Sequence, residues 1–84
     1  MGTYFFHEHT SPDAQDGTRD LVRYYYDDIS EEILTRSFRL FPKTVQKVFL
    51  GNGLIPLADL QVDVKSKLKD FLYRRMQAER RQAS

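Results

Sequence analysis

An amphipathic helical pattern that begins at Leu57 constrains the fold of this chain more than any other feature. At about 100° per residue, its apolar side chains fall within an arc of about 120°, as in a helix that faces a core. These side chains belong to Leu57, Leu60, Val64, Leu68, Phe71 and Leu72. Pro56 suits the start of a helix, and Arg75 interrupts the apolar stripe near its end. The pattern predicts a helix over residues 57–80.

Two shorter helices are predicted before this one. Asp28 is followed three residues later by Glu31, which is the spacing of a capping box at a helix start. The apolar residues that follow recur at near-helical spacing, which predicts a first helix over residues 28–41. Pro42 ends that helix, because proline cannot donate to the hydrogen-bond ladder. A second helix is expected over residues 43–50.

The glycines in FLGNGLIPL are predicted to connect the second and third helices. A phosphate-binding P-loop needs a lysine followed by serine or threonine after its last glycine, whereas Gly53 precedes two apolar residues. A dinucleotide fingerprint needs a third glycine at the position that Pro56 occupies. We therefore expect a helix C-cap at Gly51. The alternative is a hairpin of strands 44–50 and 54–62 that turns at Asn52-Gly53.

The first twenty residues are expected to precede the main domain. Residues 1–20 are predicted to form an acidic and aromatic arm, partly flexible, before a single helical domain over 21–80 and a flexible tail over 81–84. In the alternative, residues 3–8 and 21–27 pair as a short hairpin, because aromatic residues suit a pleated sheet. The overall prediction is a mainly α domain of about three helices, with an α+β fold as the alternative.

The composition offers little material for catalysis. The chain has 84 residues and no cysteine, and its two histidines both lie in the predicted N-terminal arm. His7 and His9 offer two imidazoles in a terminal segment, which is not enough to predict a metal site. We expect no enzyme activity, cofactor, metal or small-molecule substrate. No stretch resembles a membrane span or a signal peptide, so the predicted location is cytoplasmic and away from membranes.

The charge is distributed unevenly along the chain. Residues 1–32 carry eight acids and two bases, a net charge of −6, whereas residues 33–84 carry eleven bases and four acids, a net charge of +7. A basic surface on the last helix would attract a phosphate backbone, so a small nucleic-acid-binding regulator is one functional hypothesis. Its candidate residues are Lys65, Lys67, Lys69, Arg74, Arg75, Arg80 and Arg81.

The other hypothesis is a non-enzymatic protein-interaction module or a small assembly subunit. Val62 and Tyr73 lie eleven residues apart, which places them on the same side of the last helix and away from its main apolar stripe. A tyrosine cluster follows the predicted arm, and tyrosine is enriched where proteins meet. The candidate contact residues are Tyr24, Tyr25, Tyr26, Val62 and Tyr73. Another protein or a second copy of the chain is the expected partner.

Overall fold

A four-stranded antiparallel sheet followed by one long helix forms the fold. The computed structural model describes residues 2–12, 14–43 and 46–83, with side chains up to residue 80. The elements are β1 (Thr3–Thr10), β2 (Arg19–Asp27), β3 (Glu32–Leu40), β4 (Lys47–Ile55), a 3-10 turn (Leu57–Asp59) and α1 (Val62–Ala83). The strands lie side by side in sequence order, so each pairs with the next along the chain.

The prediction of a mainly helical domain is wrong. Residues 28–41 form a turn and β3, and most of the described part of 43–50 belongs to β4, while Thr44 and Val45 lie outside the described residues. Only the last predicted helix, 57–80, has a counterpart in α1, which starts at Val62 after the 3-10 turn. The sheet accordingly provides one side of the core.

Of the two alternative hairpins, the first is present in the described residues and the second is not. β1 pairs with β2 from Thr3 opposite Asp27 to Thr10 opposite Leu21, so the predicted pairing of 3–8 with 21–27 is present and extends further. The predicted arm is therefore partly a strand. The hairpin of 44–50 with 54–62 is absent from the described residues, because β4 runs straight through the glycines and pairs with β3. No helix C-cap forms at Gly51, which lies at a β-bulge.

The acidic stretch around the predicted helix start forms a turn instead. The Asp27 side chain accepts hydrogen bonds from the backbone N–H of Ile29 at 2.9 Å and of Ser30 at 3.3 Å. Such side-chain bonds compete with helix formation. Glu31 then takes a left-handed conformation, with a φ of 58°, which turns the chain into β3. The aspartate that forms the turn is Asp27, one residue before the predicted N-cap Asp28, whose carboxylate accepts from the Gly2 N–H instead.

The core lies between α1 and one face of the sheet. Ile33 is fully buried, and it packs with Leu60, Val64 and Leu68, which expose less than a tenth of their surface. Half-buried side chains surround this cluster: Phe6, Tyr24, Tyr26, Ile55, Leu57, Phe71 and Leu72. We call the sheet face toward α1 the helix face. A nonpolar area of this kind supplies the main driving force for packing the helix on the sheet.

Candidate functional site

The other side of the sheet, which we call the open face, has no helix against it in the part of the chain that the structure describes. Side chains alternate between faces along a strand, so the register assigns each residue to one side. The open face carries, among others, Phe5, Glu8, Arg19, Arg23, Tyr25, Asp27, Glu32, Leu34, Arg36, Phe38, Lys47, Phe49, Asn52 and Leu54. Its aromatic and basic content is the most distinctive feature of the surface.

Two aromatic pairs lie on the open face, toward opposite ends of the sheet. Phe5 lies opposite Tyr25 across β1 and β2, with ring centroids 5.6 Å apart and the planes at 61°. Phe38 lies opposite Phe49 across β3 and β4, with ring centroids 5.5 Å apart. Phe5 and Phe49 are each nearly half exposed. Neighbouring strands thus present two aromatic patches to solvent.

Each aromatic patch has cationic side chains over its rings. The guanidinium carbon of Arg23 lies 4.9 Å from the centroid of Phe5. The ring of Phe38 has the Lys47 ammonium at 5.0 Å. The guanidinium carbon of Arg36 lies 5.7 Å from the centroid of Phe49. Cation–π attraction stabilises these arrangements and holds positive charge beside the exposed rings.

The strands place four bases and three acids on the open face, a small positive net charge. The bases are Arg19, Arg23, Arg36 and Lys47. Glu8 lies opposite Arg23, with its Oε2 3.5 Å from the Arg23 Nε, and that nitrogen is buried without a hydrogen bond among the described residues. The remaining acids, Asp27 and Glu32, lie opposite each other in the register, at the end of the sheet next to the β2–β3 turn. The middle of the open face, around Arg23 and Arg36, therefore attracts anions.

A cavity of about 440 Å³ crosses the open face between the aromatic patches. Tyr25 and Leu34 provide apolar walls, and Arg36 and Asn52 provide polar ones. Arg36 and Asn52 are register partners on adjacent strands, so they lie side by side. The cavity thus combines an aromatic ring with hydrogen-bonding side chains in one place.

The predicted protein-contact residues do not form one surface. Tyr24 and Tyr26 lie half-buried on the helix face, where they pack around the core, whereas Tyr25 lies on the open face. Burial raises the pKa of Tyr26 above its ordinary value. Val62 and Tyr73 are 82% and 64% exposed on α1. The tyrosine run is therefore divided between the two faces of a strand, and the helix pair stands apart from it.

The predicted nucleic-acid-binding residues of α1 are also divided. The exposed members are Lys65, Lys67, Lys69, Arg74 and Arg80. Arg74 donates from Nε to the carbonyl of Asp70 at 3.3 Å. The side chain of Arg81 lies outside the described residues. Since α1 packs on the helix face, this basic group is separate from the cations of the open face.

Arg75 connects the helix to the sheet. Its Nη2 donates to the Tyr4 hydroxyl at 3.1 Å and lies 3.6 Å from the Asp28 Oδ2, and its guanidinium carbon lies 4.0 Å from the Tyr4 ring centroid. The Gly2 N–H donates to Asp28 at 2.9 Å, and this bond, aided by Arg75, lowers the pKa of that carboxyl. Arg75 therefore stabilises the packing of α1 on the sheet.

The histidines and acids gather no ligand set in the described residues, where no three of them form a group that fits a metal ion. His7 stacks on Tyr24 with ring centroids 5.6 Å apart. Burial lowers the pKa of His7, and the nearby charge of Lys67 lowers it further. No helix in the described part of the chain is both long and apolar enough to cross a membrane.

The aromatic and basic residues of the open face were not predicted as a site, Tyr25 excepted. A signal for them exists in β3, where Leu34, Arg36 and Phe38 alternate with the helix-face positions. Aromatic and basic residues two apart share a face only if the segment is a strand. In a helix over residues 28–41, these side chains would point in different directions and would not form one surface.

Comparison of the chain with protein-family models, with curated proteins and with solved structures gives no match in any of the three. The function is therefore inferred from the geometry of the surface.

Proposed function

We propose that this protein binds single-stranded nucleic acid on the open face of its sheet, without catalysis. The observation that carries the proposal is the pairing of two aromatic patches with cations on a sheet face that α1 leaves uncovered. Proteins that bind single strands combine a positive track for the phosphates with aromatic rings on which bases stack. Both parts are present on this face.

The arrangement favours a single strand over a duplex. The bases of a duplex are stacked on one another, so an aromatic side chain reaches their faces only after unstacking, whereas unpaired bases are accessible. Phe38 lies four residues beyond Leu34 on β3, and Leu34 pairs with Tyr25, so the patches are roughly 13 Å apart along the strand direction. Four-stranded sheets that bind RNA stack two or three bases over a comparable surface.

The test is fluorescence anisotropy with labelled 12-nucleotide DNA and RNA oligomers at low salt. Phe49→Ala removes an exposed ring, and a lost stacking contact of about 1–3 kcal/mol should weaken binding roughly 5- to 150-fold. Arg36→Gln should lower the slope of log affinity against log salt by about 0.7, the value for one phosphate contact on a single strand.

A single-stranded ligand implies a location inside the cell, so a cytoplasmic location belongs to the proposal.

Two matched controls use α1. Tyr73→Ala removes an aromatic side chain that is 64% exposed on the helix, and it should leave the affinity unchanged. The double variant Lys65→Gln/Lys69→Gln removes two positive charges from the helix and should leave the salt slope unchanged. If the helix variants weaken binding and Phe49→Ala does not, the basic helix is the binding surface. Absence of any complex at low salt would refute both versions.

We also propose, as a second candidate, that α1 contacts another protein or a second copy of the chain. Val62 and Tyr73 support this, because both are strongly exposed on one side of the helix. Sedimentation velocity at several concentrations tests self-association, and Val62→Asp/Tyr73→Asp should shift any dimer toward the monomer. A monomer at every concentration, with no partner recovered from native cells, would contradict this candidate.

A further inference from the structure

We infer that the cavity between Tyr25, Arg36 and Asn52 is a subsite that holds one nucleobase and distinguishes among bases. This inference rests on the proposed function, because it concerns one position along the strand that the open face would bind. The cavity, at about 440 Å³, is within the range of about 300–1,000 Å³ typical of small-ligand sites. It opens on the same face as both aromatic patches.

The polar groups of the cavity have the chemistry to recognise a base edge. The carboxamide of Asn52 offers an acceptor and two donors, and the guanidinium of Arg36 offers donors only. Neither side chain makes a hydrogen bond or ion pair within the described residues, although Arg36 approaches the Phe49 ring. Each base edge presents adjacent donors and acceptors, which an asparagine amide matches with two hydrogen bonds. The two side chains are therefore available to a ligand.

The register fixes these groups next to each other. Arg36 lies directly opposite Asn52 across β3 and β4, which brings their Cβ atoms to within about 5.5 Å. Because the strands are rigid elements of the sheet, the backbone positions of the pair are fixed before a ligand arrives. Both side chains are exposed, so a base reaches them without a change in the fold.

The apolar walls hold the body of the base. The Tyr25 ring on β2 and the Leu34 side chain, two residues before Arg36 on β3, border the cavity. Phe5 supports Tyr25 through the edge contact of their rings. A base that lies over them replaces water on an apolar surface while its edge bonds to Asn52. Bases share these apolar contacts but differ in their edges, so discrimination comes from Asn52 and Arg36.

The experiment compares oligomers of deoxythymidine, deoxyadenosine and deoxycytidine by anisotropy at one salt concentration. The wild-type protein should rank them with a spread of about 5- to 150-fold between best and worst, the range for one bidentate amide contact. Asn52→Ala should reduce the spread to less than threefold, and Asn52→Asp, which replaces donors by an acceptor, should change the order. Gln61→Ala removes a comparable exposed amide before α1 and should preserve the ranking.

The outcomes separate this inference from the function it depends on. If the wild-type protein binds all three oligomers within threefold, or Asn52→Ala keeps the ranking, the subsite is refuted while the open face remains the binding surface. If no oligomer binds, both proposals fail together. If Asn52→Ala flattens the ranking and Phe49→Ala weakens all oligomers equally, both proposals are supported by independent residues.

Discussion

Gly53 has the least space for a side chain of any described glycine. A Cβ built on its backbone would lie 2.5 Å from the Oγ1 of Thr35, its register partner on β3. Thr35 is buried and exposes only 8% of its surface. The glycine is therefore explained by a close cross-strand approach, and phosphate binding is not needed to account for it.

Gly53→Ala should destabilise the fold by about 1–3 kcal/mol, the usual cost of overpacking a filled site. Urea denaturation followed by circular dichroism measures the change. Thr35→Ala in the same chain removes the clashing oxygen, so the double variant should lose less stability than the sum of the two single variants. Strict additivity would show that the contact between Gly53 and Thr35 has no energetic weight.

At the scale of elements, α1 contacts the core through one side only. Leu68 exposes 4% of its surface, whereas Val62, six residues earlier, exposes 82%. Leu68→Ala should cost about 2–5 kcal/mol, because it leaves a cavity beside Ile33. Val62→Ala is the matched control and should change the free energy of unfolding by less than about 0.5 kcal/mol. Equal losses would mean that the helix packs differently.

The helix α1 could be predicted from the sequence because one side of it meets solvent and the other meets the core, which gives its apolar residues a helical spacing. The strand β3 was not predicted. Its adjacent residues Ile33 and Leu34 are both apolar, but they lie on opposite faces of the sheet. A strand with apolar residues on both faces loses the simple alternation of a half-exposed strand. Its apolar positions then coincided with helical spacing, and the candidate site on the open face was missed for that reason.

At the scale of the whole molecule, part of the charge asymmetry is resolved by contacts between the two halves of the chain. Arg39 donates to Asp20 at 2.9 Å, and Arg75 lies 3.6 Å from Asp28. Each pair joins an acid of the first half to a base of the second. On the open face, Arg36 and Lys47 lie over aromatic rings instead. The sequence predicted the imbalance, but which cations stay exposed depends on the register.

The pH dependence of stability is a property of the whole chain. The hydrogen bond from Gly2 lowers the pKa of Asp28, and bonds from Thr18 lower that of Asp16, so the unfolded chain binds more protons near its ordinary aspartate pKa of 3.8. Burial likewise lowers the pKa of His7 below 6.5. These contributions are present at neutral pH. They are lost as the pH falls through 6.5 for the histidine and through 3.8 for the aspartates.

The opposite sign applies to Tyr26. Because burial raises its pKa above the ordinary 10.0, the folded state keeps the hydroxyl protonated, and this stabilisation is lost as the pH rises through 10. The free energy of unfolding should therefore be greatest between about pH 7 and 9 and decline on both sides. Urea denaturation from pH 3 to 11 measures the profile. His7→Gln should flatten it just below pH 6.5, Asp28→Asn should flatten it near pH 4, and Tyr26→Phe should flatten only the alkaline side. If His7→Gln leaves the slope below pH 6.5 unchanged, the stacking of His7 on Tyr24 does not bury the imidazole in solution.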